Sequence, residues 1–109
     1  MNFETIIVFI TAPSSEVADE IAEVLLEGKL AACVNVIPGV RSIYTWKGKR
    51  EVDQEVLMVV KSRAVLFENK LVPAVQKVHP YDVPEIIALP VVLGSQSYLE
   101  WVQSETSHD

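Results

Sequence analysis

The segment HPYDVPEI, residues 79–86, places one of the chain's two histidines beside a tyrosine and two carboxylates. An imidazole can exchange protons near neutral pH or bind a metal ion, and carboxylates supply oxygen ligands. Pro80 and Pro84 restrict the residues before them to extended backbone, so the segment should be stiff. These residues can form a metal site, the lip of a binding site, or a turn in which His79 caps the preceding helix.

Three more side chains could contribute to such a site. Cys33 is the only cysteine. A free cysteine commonly packs as a small buried hydrophobe, although its sulfur is also a soft metal ligand. Tyr44 and Trp46 share one face of a predicted strand next to a hairpin turn. Large aromatic side chains at the exposed end of a hairpin favour an interface with another surface.

Two charged and two aromatic side chains admit a structural role as well as a functional one. Glu55 and Lys61 lie on the same face of a strand that is otherwise apolar. They are either solvated strand ends or charges that need partners, since unpaired charges are rarely buried. Tyr98 and Trp101 are spaced to pack the last predicted helix against the rest of the domain.

The sequence lacks the common catalytic signatures. It contains no phosphate-binding loop, no dinucleotide fingerprint, no G-x-S-x-G serine and no set of cysteines and histidines for a closed zinc site. We therefore expect a protein that is not an enzyme. An alternative is an enzyme of unknown reaction that uses His79 as a general acid or base.

Composition argues against several other classes of protein. Nine basic and fifteen acidic residues give a net charge of −6, whereas a nucleic-acid-binding protein needs a broad basic face. The N-terminal apolar run is too short to span a bilayer and follows no basic region. With one cysteine there is no intrachain disulfide, as is usual in a reducing compartment. We predict a soluble cytoplasmic protein that interacts with neither nucleic acid nor membrane.

Apolar periodicity predicts strands and helices in a single domain over residues 1–109. Strands are expected at 5–12, 32–46, 51–61 and 84–91, and helices after Ser14, over 63–78 and in the C-terminal GSQSYLEWV segment. The order βαββαβ with an additional C-terminal helix is typical of a ferredoxin-like α+β sandwich. Such a fold has one antiparallel sheet with both main helices on one face.

Individual residues predict where these elements begin, bend and end. Ser14 is expected to cap the first helix, and Gly28 to end it at the C′ position. Pro38-Gly39 should bend or bulge the second strand. The residues KGKR should form the turn of a hairpin. Pro73 should kink the second main helix or delay its start, because an interior proline removes a hydrogen bond.

Five blocks of sequence resemble the CutA family of divalent-cation tolerance proteins, in the right order and from Ile6 to about Val102. They are TAP after the first strand, KLAACVNVIPGVRSIYTWKGK, EVLMVVKS, HPYDVPEIIALPV and YLEWV. The resemblance implies a ferredoxin-like subunit in a tight homotrimer, similar in architecture to the PII signalling proteins. Half of the residues are apolar, and so small a domain would bury more of them by associating with other subunits.

The resemblance also implies a ligand and a site. Members of the family are linked to copper tolerance, bind copper(II) and are not established as enzymes. The implied site is a cleft between subunits, in which His79, Cys33 and Glu85 are the candidate metal ligands. The other residues that the resemblance places around the cleft are Tyr44, Trp46, Glu55, Lys61, Tyr81 and, more loosely, Trp101.

The sequence departs from this family pattern at two positions. Some copper-binding members have a cysteine just before TAP and a second histidine before HPY, where this chain has Ile10 and Val78. Two readings of the cleft follow. It is a divalent-metal site that binds copper(II), or it belongs to a PII-like adaptor that holds a small anionic ligand with Lys61 and the basic residues of the middle of the chain. Both readings are compatible with an additional protein partner, which the sequence does not identify.

Overall fold

Four strands form one antiparallel sheet, in which the second strand of the chain lies at one edge and is followed by the third, the first and the fourth. The structure, a computed structural model, describes residues 4–108, so the outer bounds of the predicted domain, residues 1 and 109, lie outside the described residues. The strands are β1 (Thr5–Ala12), β2 (Cys33–Trp46), β3 (Lys49–Arg63) and β4 (Ile86–Pro90). The α-helices are α1 (Ser15–Glu27), α2 (Ala64–Leu66), α3 (Val72–Val78) and α4 (Gln96–Glu105). The predicted ferredoxin-like α+β fold with an additional C-terminal helix is confirmed.

The core lies between the helices and one face of the sheet. In β1 and β3 alternate side chains point to opposite faces, so Val8, Ile10, Met58 and Val60 all point to this side. These four side chains are fully buried. They pack in one cluster with apolar residues of α1 and α3, among which Ile21, Leu25 and Val75 are fully buried.

The opposite face of the sheet, here the open face, is apolar and only partly covered. Ile37, Ile87 and Leu89 are 45%, 52% and 49% exposed there. Helix α4 covers one end of this face, where the Arg63 guanidinium donates to the Thr106 carbonyl at 2.7 Å. Within the described residues, β1 is therefore covered on both sides only where α4 lies. An apolar sheet face of this kind favours association with another surface.

Helix α1 begins as predicted and ends one residue later than predicted. The Ser14 hydroxyl accepts a hydrogen bond from the first turn at 3.2 Å. Gly28, however, has a φ of −82°, and the left-handed residue is Lys29, with a φ of 56°. The Leu30 amide donates to the Leu25 carbonyl at 2.8 Å, which completes a Schellman motif with Lys29 at C′.

The helical segment between β3 and the 79–86 loop changes its winding before Pro73. A π-helical turn, Phe67–Leu71, separates α2 from α3. Helix α3 starts at Val72, so Pro73 falls in its first turn. A proline is tolerated there because the amide groups of the first turn have no partner within the helix. The delayed start that the sequence predicts therefore applies to α3, while the helical segment as a whole begins at Ala64.

The hairpin of β2 and β3 has the predicted bulge and the predicted turn. The pairing register shifts between Ile37 and Val40, where Gly39 has a φ of 83°. At the tip, Lys47 and Gly48 have φ values of 51° and 80°, as a type I′ turn requires. This turn sets which residues of the two strands face each other, and hence which side chains meet in the site.

Candidate functional site

A pocket of about 570 Å³ lies where the hairpin meets the 79–86 loop. We call it the hairpin pocket. Its lining comes from two strands and one loop: Ser42, Ile43, Tyr44, Trp46, Glu55, Tyr81, Asp82, Val83 and Glu85. Five of these, Tyr44, Trp46, Glu55, Tyr81 and Glu85, are among the residues singled out from the sequence. The structure therefore brings the aromatic and acidic members of the predicted set together within one chain.

His79 fixes the loop that forms one wall of the pocket. Its ring Nε2 lies 2.8 Å from the Thr11 carbonyl oxygen, and the Tyr81 amide donates to Nδ1 at 3.2 Å. Because an amide N–H can only donate, Nδ1 is the acceptor and Nε2 carries the proton that is donated to Thr11. The side chain is 7% exposed. Both ring nitrogens are therefore engaged with backbone groups, which ties the loop to the end of β1.

Tyr81 and Glu55 connect this loop to β3. The Tyr81 hydroxyl donates to Glu55 Oε2 at 2.8 Å, and Glu55 is only 8% exposed. Burial and the hydrogen bond to Glu55 raise the pKa of Tyr81. The phenol therefore stays protonated at physiological pH and acts as a donor to the carboxylate.

Tyr44 makes a second phenol–carboxylate pair, with Asp53. The hydrogen bond that Tyr44 donates to Asp53, followed by burial, raises the pKa of Tyr44 to about 12. Asp53 was missed in the sequence analysis, although it lies two residues before Glu55 on the same strand face. The signal that could have found it is the type I′ turn, which aligns Asp53 with Ser42 and so brings it close to Tyr44.

The hairpin pocket has an acidic lining. Glu55, Asp82 and Glu85 are carboxylates, and no lysine, arginine or histidine is among the described lining residues. None of the three forms a salt bridge within residues 4–108, where the only such pair is Arg63 with Glu4. The charged side chains of the lining are therefore all acidic, which favours a cation over an anion.

Cys33 and Lys61 lie in a different place from the pocket. They face each other across β2 and β3, and Lys61 Nζ is 4.0 Å from Cys33 Sγ and also donates to Asn35. Lys61 lies six positions after Glu55 on an extended strand, which corresponds to about 20 Å. Within one chain, the structure therefore keeps Cys33 and Lys61 apart from His79 and Glu85.

The two aromatic residues of α4 accompany Cys33. Burial, together with the neighbouring Cys33 thiol, to which Tyr98 is hydrogen-bonded, raises the pKa of Tyr98. The rings of Tyr98 and Trp101 are 5.7 Å apart, and Trp101 is 43% exposed. Neither residue lines the hairpin pocket. Among residues 4–108, no three histidine, cysteine or acidic side chains are placed to hold one metal ion together.

Comparison with known proteins identifies close relatives. The divalent-cation tolerance protein CutA of Thermus thermophilus is 50% identical over 100 residues, which cover 92% of this chain and 96% of that protein. A solved structure of the Thermus thermophilus protein has a TM-score of 0.91, and the match covers 94% of this chain and 99% of that chain, at 48% identity. The chloroplastic protein CutA of Arabidopsis thaliana is 45% identical over 94% of this chain, but this chain spans only 56% of its length.

The prediction of a cytoplasmic location is wrong. A solved relative from Archaeoglobus fulgidus, 40% identical with a TM-score of 0.90, is described as a periplasmic divalent cation tolerance protein, and the match covers 94% of this chain and 99% of that chain. The Arabidopsis relative is chloroplastic. A short apolar N-terminus and a lone cysteine therefore do not identify the compartment in this family. No helix in the described part of the chain has the length and apolarity needed to cross a membrane.

The family model described as "CutA1 divalent ion tolerance protein" matches residues 6–105. This range contains every strand and helix apart from Thr5, the first residue of β1, and every residue of the hairpin pocket. The resemblance noted in the five sequence blocks is thereby confirmed. The chain belongs to the CutA family of divalent-cation tolerance proteins.

Proposed function

We propose that this single-domain chain works as a homotrimer that binds divalent cations, with copper(II) as the first ion to test, and that it does so without catalysing a reaction. The observation that carries the proposal is the acidic lining of the hairpin pocket. A pocket with three carboxylates and no basic side chain among its described residues suits a cation. The name of the family, and those of the Thermus and Archaeoglobus relatives, connects it with divalent ions.

The open face supports the homotrimer. Ile37, Ile87 and Leu89 are about half exposed on it, and Trp46 adds an aromatic ring that is 43% exposed at the hairpin end. Burying such surface against other copies is favourable because apolar area leaves water. Light scattering coupled to size exclusion should give three times the subunit mass of 12.1 kDa. A monomer at micromolar concentration would contradict the proposal.

Glu85 is the predicted metal ligand that lies in the pocket. Asp82 or Glu55 can supply one further oxygen donor, since no three such side chains among residues 4–108 are placed to hold one ion together. His79 would have to give up the Tyr81 amide at Nδ1 before it could bind an ion, and Cys33 would have to come from another subunit. Copper(II) is the first choice because it binds most strongly among the first-row divalent ions.

The two positions at which the chain departs from the family pattern lie in different parts of the fold. Ile10 is fully buried in the core, so a cysteine at that position would point away from the hairpin pocket. Val78 is half-buried at the end of α3, next to His79. The site we propose uses the pocket carboxylates and therefore does not depend on a ligand at either position.

Calorimetric titration with copper(II) tests the metal site. The wild type should bind, and Glu85→Gln should bind more weakly because an amide loses the negative charge of the ligand. Asp19→Asn, an exposed acid on α1, is the matched control and should leave binding unchanged. Binding should also weaken as the pH falls, because metal ligands must be deprotonated.

His108 requires its own control, because it is exposed in the C-terminal tail. Its Nε2 lies 3.0 Å from the Lys29 carbonyl oxygen. Copper binding that disappears in His108→Ala but persists in Glu85→Gln would move the site to the tail. The absence of binding in the wild type would overturn the metal proposal and leave the homotrimer proposal to be tested by light scattering alone.

A further inference from the structure

Helix α4 is held on the open face by little buried apolar surface. Within Gln96–Glu105, only Val102 is fully buried. The loop that leads into the helix is exposed, with Val92 at 64% and Leu93 at 89%, and the Ser95 side chain does not cap the first turn. A helix with so few buried apolar groups opens locally more readily than the core does. The position of α4 therefore depends on the polar contacts that it makes with the sheet.

Three residues in one row along α4 make the contacts with the sheet. Tyr98, Val102 and Thr106 follow each other at intervals of four, and residues at this spacing lie on the same face of a helix. Thr106, the residue at which the helix ends, is fully buried like Val102. Tyr98, one turn before Val102, lies next to the Cys33 side chain. The two polar ends of the row are therefore the end at Thr106 and the end at Tyr98.

Arg63, the last residue of β3, holds the C-terminal end of this row. Its Nε donates to Thr106 Oγ1 at 2.9 Å, and its Nη2 donates to the Thr106 carbonyl at 2.7 Å. The Thr106 hydroxyl donates in turn to the Val102 carbonyl at 2.7 Å. The Arg63 Nη1 also forms a salt bridge with Glu4 at 3.3 Å. The planar fork of guanidinium donors thus fixes the hydroxyl and the carbonyl of Thr106 at the same time.

Arg63 also supplies a positive charge that the end of α4 lacks. The carbonyl groups in the last turn of a helix carry a partial negative charge and have no partner within the helix. Helix α4 contains two acids, Glu100 and Glu105, and no lysine, arginine or histidine. A cation that comes from β3 therefore stabilises this helix end, and the stabilisation is lost when α4 leaves the sheet.

Lys61 and Arg63 project from the same face of β3, because alternate residues of a strand share a face. Cys33 pairs with Lys61 across β2 and β3, and Lys61 Nζ lies 4.0 Å from Cys33 Sγ. From these contacts we propose that Arg63 is a positioning residue, which fixes α4 so that Tyr98 covers the Cys33 side chain. Arg63 thereby limits the access of soft electrophiles and soft metal ions to the only thiol of the chain. The proposal does not depend on metal binding in the hairpin pocket.

The rate at which N-ethylmaleimide modifies Cys33 tests this proposal, with EDTA present to remove divalent ions. The reagent is uncharged, so the loss of a positive charge does not alter its approach. Arg63→Met keeps a long side chain but has no donor. It should react at least about tenfold faster than the wild type, the ratio that corresponds to the loss of one hydrogen bond from a charged group. Arg63→Lys, which keeps the charge but not the fork, should give a rate between these two.

Control variants separate the contact with Thr106 from other effects. Glu4→Gln removes the charge of the salt bridge but leaves both bonds from Arg63 to Thr106, and it should react like the wild type because exposed ion pairs contribute little. Ser14→Ala removes the N-cap of α1, which lowers stability without changing α4, and it should also react like the wild type. Thr106→Val removes one of the two acceptors, should react about fivefold faster, and serves if Arg63→Met does not fold.

Hydrogen exchange then shows where the structure opens. The amides of α4 should exchange faster in Arg63→Met while those of α1 stay unchanged, and Ser14→Ala should affect α1 alone. Equal maleimide rates in Arg63→Met and the wild type would overturn the proposal. An equal acceleration in Ser14→Ala would do so as well, because Cys33 would then react through a loss of overall stability. A failure to bind copper affects none of these outcomes.

Discussion

Replacing Tyr81 by phenylalanine tests whether the phenol–carboxylate pair holds the 79–86 loop against β3. The change removes one hydroxyl and leaves the ring in place. In the wild type this hydroxyl donates to Glu55 Oε2 at 2.8 Å, and Glu55 is 8% exposed. The variant therefore leaves a buried carboxylate with no donor among the described residues, which should lower the free energy of unfolding.

The size of the effect follows from the charge and the surroundings of the acceptor. A hydrogen bond to a charged group contributes about 1.5–3 kcal/mol. Glu55 lines an open pocket, so water can reach the carboxylate in the variant, and we expect the lower end, about 1.5 kcal/mol. The matched control is Tyr98→Phe, which removes a hydroxyl next to the Cys33 side chain rather than one bonded to a carboxylate, and should cost about 0.5 kcal/mol.

The sign of the pH dependence can be worked out from the raised pKa of Tyr81. Burial and the Glu55 hydrogen bond raise this pKa above its ordinary value of 10.0. The folded state therefore favours the neutral phenol, and the resulting stability is fully present below about pH 10 and is lost as the pH rises above it. The wild type should exceed Tyr81→Phe in stability by a constant amount from pH 7 to about pH 10, and by less at higher pH.

Urea unfolding at one fixed subunit concentration measures these differences, because the apparent stability of an oligomer depends on concentration. A double-mutant cycle with Glu55→Gln should give a coupling free energy of about 1 kcal/mol. If Tyr81→Phe unfolds within about 0.5 kcal/mol of the wild type, the pair does not hold the loop. A loss equal to that of Tyr98→Phe would likewise refute the special role of the charged acceptor.

Three further predictions concern other parts of the fold. Lys29→Gly should raise the free energy of unfolding by about 0.5–1 kcal/mol, because glycine adopts the left-handed C′ conformation without a Cβ penalty; Lys29→Ala, which keeps the Cβ, should give no such gain in the same urea experiment. Trp46→Ala should weaken the proposed homotrimer by about 2 kcal/mol, and light scattering across a dilution series would show an unchanged mass if Trp46 is only a bystander. Absorbance at about 295 nm should show no phenolate from Tyr44 until the pH approaches its pKa of about 12, whereas a normal titration near pH 10 would mean that the Asp53 hydrogen bond is absent.

The hairpin was predictable because its signals are local. Glycine and the residue before it can both adopt positive φ, so KGKR indicates a two-residue turn. Once this turn fixes the register, strand alternation places Glu55 on the same face as Lys61. The Pro38-Gly39 bulge was equally local, since proline removes a ladder donor and Gly39 takes a φ of 83°.

The end of α1 was less predictable because packing determines it. Gly28 has the residue type expected at C′, but Lys29 occupies that position. Leu30 is 8% exposed and belongs to the same core cluster as Leu25. Its burial next to the last turn requires one more residue before the chain turns, and a contact between C″ and C3 is typical of this motif. Residue propensity alone contains no information about that contact.

A single chain brings together only part of the predicted cleft. The resemblance assigned Cys33, Lys61 and Glu85 to one cleft, whereas about 20 Å of strand separates Lys61 from the acidic pocket in a single chain. Residue types do not specify which subunit supplies which side chain. Asp53 was missed because a carboxylate on an exposed hairpin is usually solvated, and only the strand register brings it within reach of Tyr44.

The histidine of HPYDVPEI connects the structural and the functional reading of that segment. Its ring bonds the Thr11 carbonyl and the Tyr81 amide, and Tyr81 in turn bonds Glu55. These contacts form one continuous path from the end of β1, through the loop, to β3. A metal ion that took Nδ1 of His79 would free the Tyr81 amide and loosen the wall that presents Glu55. Metal binding at His79 should therefore loosen this contact between the loop and β3, whereas an ion held by Glu85 and Asp82 leaves the path unbroken.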